Sequence, residues 1–131
     1  MPGIGWIVMG GAVGAFVLWR ILKPSLDGAV QRAIAAEDLQ PILEAIEKRS
    51  TAAQPAGYNH AIRRLWDSYQ RPMALELVRE LAKNHGTTNI AQYWIKQVMV
   101  VEPALAKKGF SKDFLDTYFQ PEVAAQCGPV G

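Results

Sequence analysis

One cysteine stands in the 131 residues, Cys127, so no intrachain disulfide can form and no thiolate cluster can hold a metal. The two histidines, His60 and His85, are far apart and have no Asp or Glu at ligand spacing, which argues against a metal site. Nothing alternates with period two over a useful length, so strands are not expected, nor the glycine-rich phosphate loop that follows one. An excess of one charge is missing as well. After Pro24, twelve Lys and Arg face twelve Asp and Glu, and the net +2 of the whole chain comes from Arg20 and Lys23. That neutrality argues against a nucleic-acid binder living on phosphate attraction. The carboxylate pairs Glu44/Glu47 and Glu76/Glu80 fall on helix faces, where solvation is a better reading than acid–base work. Catalytic residues, metal ligands and an intrinsic cofactor are therefore not expected, and the chain reads as a non-enzyme.

What the chain does have is an uncharged run from Gly3 to Trp19, followed at once by Arg20 and Lys23. Continued through Leu22 as a helix it spans about 30 Å, the thickness of a hydrocarbon core. Residues 1–23 are accordingly read as a transmembrane anchor, with Trp6, Trp19, Arg20 and Lys23 at the membrane interfaces. A signal peptide would place its charges ahead of the run rather than after it. A water-exposed helix would be weakened by five glycines between Gly3 and Gly14. Gly10, Gly11, Gly14 and Ala15 form a nearly side-chain-free stripe, a docking face for another helix. Ile7, Val8, Val13, Phe16 and Val17 then face lipid or pigment. The basic residues after the run set the remaining domain on the cytoplasmic side, or its organellar equivalent, the matrix or stroma.

From residue 24 to 119 the periodicity is helical. Apolar stripes run over Leu26–Ala36, Leu39–Lys48, Tyr58–Tyr69 and Pro72–Lys83, and a helix capped by Thr88 or Asn89 reaches about Val101. Ser50–Gly57 reads as a loop, Pro103 to Gly109 as a break, and Ser111 caps a last helix ending at Phe119. Residues 120–131 read as an extended tail laid against a partner. The fold class is all-α: one N-terminal transmembrane helix, then a small domain of antiparallel helical hairpins.

The segment Leu39–Tyr58 lies over Ala74–Tyr93 at an offset of thirty-five without a gap. Ile42 meets Leu77, Leu43 meets Val78, Ile46 meets Leu81 and Tyr58 meets Tyr93. The stretch Gly57-Tyr58-Asn59-His60-Ala61-Ile62, followed by Ala74-Leu75-Glu76-Leu77 and closed by Asn89, resembles a pentatricopeptide repeat, and its spacing also suits the related tetratricopeptide pattern. One repeat, from about Pro55 to Asn89, is nearly complete, and its neighbours are degenerate. The resemblance implies a short right-handed stack of helix pairs with a concave face.

It also implies that Asn59 and Asn89 occupy the base-reading positions, a pair that would favour a pyrimidine. Pro24, Gln54 and Trp94 at the flanking positions give no readable code. A helix-capping role for the two asparagines is the simpler alternative. Asn59, Arg63, Asn89 and Trp94 are carried forward as groove contacts, Trp66 and Trp94 as packing aromatics, and His60 as a conceivable tetrapyrrole ligand. The functional expectation is a non-catalytic accessory or scaffold subunit of a large membrane complex, with other membrane subunits and lipid as partners; because pentatricopeptide-like repeats are chiefly organellar, the resemblance implies a respiratory or photosynthetic complex in an organellar inner or thylakoid membrane. The alternatives are a membrane-tethered RNA adaptor, with Arg63, Arg64, Arg71 and Lys96 forming a basic stripe, and a peptide receptor.

Overall fold

The structure is a computed structural model and describes residues 25–127. Eight α-helices follow one another among these residues: α1 Leu26–Ala36, α2 Gln40–Glu47, α3 Gln54–Asp67, α4 Arg71–His85, α5 Asn89–Val101, α6 Pro103–Gly109, α7 Lys112–Tyr118 and α8 Pro121–Ala125. A 3-10 turn, Thr51–Ala53, leads into α3.

Local chemistry sets the boundaries. Ser25, Thr88 and Ser111 each accept a backbone N–H at the start of α1, α5 and α7. The other five helices open with a proline in the first turn, where no N–H is required. Helices α1 and α3 end alike. After α1, Asp38 N–H reaches Ala33 O and Glu37 N–H reaches Ile34 O; after α3, Gln70 N–H reaches Leu65 O and Tyr69 N–H reaches Trp66 O. These are Schellman closures whose left-handed position is held by Glu37 (φ 52°) and Tyr69 (φ 59°) rather than glycine.

Consecutive helices pair as α1/α2, α3/α4 and α5/α6, and the odd-numbered helices also stack on one another, α1 on α3 and α3 on α5. Their shared core holds Val30, Ile42, Ile46, Ile62, Leu65, Leu77, Leu81, Trp94 and Ile95, all fully buried. Each large side chain removed from water contributes about 1.5–3 kcal/mol. Ala61, Ala74 and Ala91, fully buried too, allow the backbones to approach. Gly109 does the same for α6 on α4, since a Cβ there would lie 2.3 Å from the Leu75 side chain.

Several sequence readings are corrected. The all-α class is found, but the transmembrane helix is not supported: no helix among the described residues is long and apolar enough to cross a membrane. The longest, α4, has 15 residues and carries Arg71, Glu76, Arg79, Glu80 and Lys83, against about 20 apolar residues for a span. The reading of residues 1–23, with Gly10, Gly11, Gly14 and Ala15 as docking face and Trp6, Trp19, Arg20 and Lys23 as interface anchors, lies outside the described residues. Helix α3 starts inside the expected loop, because Pro55 opens it and the 3-10 turn feeds it. Pro103 begins a helix instead of breaking one. The expected extended tail contains α8, whose Ala124 is buried against the rest of the fold.

Candidate functional site

The junction of α3, α5 and the end of α8 carries a cavity of about 310 Å³ lined by Asn59, Arg63, Asn89, Ile90, Tyr93 and Cys127. Three of the four groove residues expected from sequence, Asn59, Arg63 and Asn89, are brought together here. Helical spacing sets Asn59 and Arg63 one turn apart on α3, and Asn89 and Tyr93 one turn apart on α5. Trp94 is corrected. Only 1% exposed, it lies under the groove, because its indole turns into the core and its Nε1 donates to Asn59 Oδ1 at 2.7 Å. The ring stacks at a tilt on Trp66, meets Tyr93 edge-on, and carries the Arg63 guanidinium 5.3 Å from its centroid. Neither asparagine is the N-cap: Asn59 lies inside α3, and Thr88 caps α5.

The C-terminal segment completes the wall. Cys127 Sγ is 3.3 Å from the Val123 carbonyl and 3.6 Å from the Asn89 carbonyl, and Lys96 Nζ donates to Ala124 O at 3.2 Å. Beneath it, the fully buried Gln92 donates from Nε2 to Gly86 O and Tyr118 O, both at 2.8 Å, and accepts Gln120 N–H at 2.7 Å. One amide side chain thus joins the turn after α4, the end of α7 and the start of α8.

The cations of the expected basic stripe are engaged within the fold. Arg64 Nε and His60 Nε2 both meet Asp27 Oδ1, at 3.1 and 2.6 Å. The His60 hydrogen bond holds the Asp27 carboxyl below its usual 3.8, with help from the Arg64 charge and against an opposing desolvation. Arg71 Nη1 donates to Glu102 at 2.6 Å while its guanidinium covers Trp66 at 4.4 Å. His60, considered as a tetrapyrrole ligand, has its Nε2 committed to Asp27.

A second, larger cavity of about 540 Å³ opens between α2, the start of α3 and the end of α4. Glu47, Tyr58, Glu80, Asn84 and His85 are among its lining residues. Tyr58 is 4% exposed and its hydroxyl accepts from Asn84 Nδ2 at 3.1 Å. Burial pushes the phenol pKa up, the Asn84 bond offsets part of that, and the Glu80 and Glu47 charges add to the rise. His85 meets the Tyr58 ring edge-on and places Nε2 3.0 Å from Gln54 Oε1. Among the described residues, no three His, Cys, Asp or Glu side chains gather as metal ligands.

Ile90, Tyr93 and Cys127 were missed as groove residues. Tyr93 could have been found, since it pairs with Tyr58 at the thirty-five-residue offset; nothing in the sequence points to Cys127. Compared with protein-family models, with curated proteins and with solved structures, the chain matches none of them.

Proposed function

We propose that this chain is a non-catalytic scaffold subunit of a larger assembly, and that its hairpins form a short pentatricopeptide-like stack gripping a partner protein along the groove between α3 and α5. The observation that carries this is the Trp94–Asn59 hydrogen bond. The two residues are thirty-five positions apart, the offset at which the sequence overlays itself, so equivalent positions of successive hairpins touch. Stacked hairpins of this kind leave extended grooves suited to polypeptide. Arg63, Asn89 and Tyr93 supply charge, amide and aromatic contacts of the types enriched at protein interfaces.

An RNA adaptor draws less support. Asn59 Oδ1 is occupied by Trp94, Arg64 and Arg71 are paired with carboxylates, and the net charge after Pro24 is zero. The test is native co-purification of the full chain with mass spectrometry and intact-mass measurement of the complex. Stoichiometric protein partners that are lost from Arg63→Glu and Tyr93→Ala variants of unchanged thermal stability support the reading. A free monomer, or a species carrying RNA, overturns it.

A further inference from the structure

Along the groove between α3 and α5 the chemistry changes from one end to the other. The cavity end offers donors. An indole N–H only donates, so the bond from Trp94 to Asn59 Oδ1 fixes which way the Asn59 amide faces and leaves its NH2 group over. That group has no acceptor among the described residues. Arg64, Arg71 and Arg79 each pair with a carboxylate, whereas Arg63, one turn from Asn59, makes no such pair among the described residues and lies against the Trp94 ring. No Asp or Glu lines this cavity. The other end is apolar. Asn89, Tyr93 and Val100 fall on one face of α5, so Val100 continues the groove about 16 Å beyond Asn89. The three large apolar side chains exposed among the described residues, Tyr69, Val100 and Val101, gather at this end. Arg71 ties them together, since its guanidinium lies 5.5 Å from the Tyr69 ring centroid and donates to Glu102, the residue after Val101. The Arg71–Glu102 pair is neutral as a unit, so it adds no net charge to the patch. Exposed apolar residues scattered singly are ordinary; gathered in one place they mark a contact surface.

We propose that the groove selects a partner segment that is acidic at one end and apolar at the other. A carboxylate meets the Arg63 guanidinium and the Asn59 amide, and apolar side chains rest on Val100, Val101 and Tyr69. Donors without a neighbouring acid suit a carboxylate, and the guanidinium, backed by Trp94, can grip both of its oxygens. The aromatic and arginine content of the two ends is that of interface hot spots. The distance between the ends sets the length: about five residues of an extended segment, at 3.3 Å each, or about three turns of a helix. This specificity rests on the groove being a protein-binding surface.

A display library of random twelve-residue peptides, selected on the immobilised full chain, tests the proposal. Enriched peptides should carry Asp or Glu towards one end and large apolar residues towards the other. For a synthetic peptide of the enriched sequence, isothermal titration should show affinity lower by about tenfold or more in Arg63→Glu and in Val100→Asp, both at exposed positions, and weaker with added salt. Selection repeated on Arg63→Glu should exchange the acidic preference for a basic one. Arg32→Glu, at an exposed position on α1, should bind as the unaltered chain does. No enrichment, enrichment without acidic residues, or binding indifferent to Arg63→Glu and Val100→Asp overturns the proposal. Native co-purification separates the two failures: a stoichiometric protein partner that is lost from Tyr93→Ala yet kept by Arg63→Glu and Val100→Asp leaves the groove as a protein-binding surface and removes only this specificity, whereas a free monomer removes both.

Discussion

Gln92→Leu is the most informative single change in this fold. Leucine matches glutamine in bulk and suits the apolar surroundings, so the substitution leaves packing largely intact and removes three hydrogen bonds at once. At a net of about 1 kcal/mol per bond the loss is about 3 kcal/mol. Full desolvation penalties for the three backbone groups left behind would raise that figure. They do not apply in full, because Gln120 is exposed and Gly86 and Tyr118 are half-buried, so water can reach them. Against a typical domain stability of about 5–15 kcal/mol, this is a large fraction. Urea unfolding of the full chain measures the total. Hydrogen exchange at Ala124 and Gln126, whose amides close α8 onto Gln120 O and Val123 O, reads the local effect, and both amides should lose protection ahead of global unfolding. A loss under about 1 kcal/mol with unchanged exchange at Ala124 would refute the idea that one amide fastens the C-terminal segment.

Three further changes bear on other elements. Gln97 is 6% exposed and its Oε1 has no hydrogen-bond partner among the described residues, so Gln97→Leu should stabilise by about 1 kcal/mol, seen as a melting temperature higher by about 4–8 °C; a lower one contradicts it. Glu37→Gly removes a side chain from a left-handed position and should add up to about 1 kcal/mol, whereas Glu37→Ala should add nothing; equal effects in denaturant would remove backbone strain as the cause. Asp27 has its carboxyl pKa lowered in the fold, so its contribution is present above pH 3.8 and is lost as pH falls through the lower folded value. Asp27→Asn should lack that acid-dependent part, and parallel acid-unfolding curves for the two proteins would count against the His60–Asp27–Arg64 cluster as a stabilising contact.

Helix interiors were legible because their apolar residues recur with helical spacing. Leu26–Ala36 was read end to end, since its apolar stripe begins at its first residue, where the structure places the Ser25 cap. The start of α3 was not, because Gln54-Pro55-Ala56-Gly57 contains the residues of a loop and becomes helical only through Pro55 and the 3-10 turn before it. Helix α8 is five residues long, too short for any period to register, and rests on tertiary bonds from Gln92 and Lys96. Half of the groove's lining was legible, Asn59 and Asn89 through the positions that the pentatricopeptide resemblance assigns them and Arg63 one helical turn after Asn59. Trp94 was read both as a groove contact and as a packing aromatic, and only the packing reading holds, because spacing alone does not say which way an indole turns. The cavity between α2, α3 and α4 was invisible, because nothing in the sequence says that Glu47 and Glu80 line one opening with Tyr58.

The polar links between successive hairpins are unequal, and this gives the molecule a direction of bending. The second and third hairpins are joined at two separated points, by Trp94 on Asn59 and by Arg71 on Glu102, the latter braced over Trp66. The first and second are joined by the exposed cluster at Asp27. Bending under load should therefore concentrate at the softer seam, where α2 faces α4 across the larger cavity. The α3–α4–α5 side would then move as a stiff body, with the α1/α2 hairpin as its adjustable jaw.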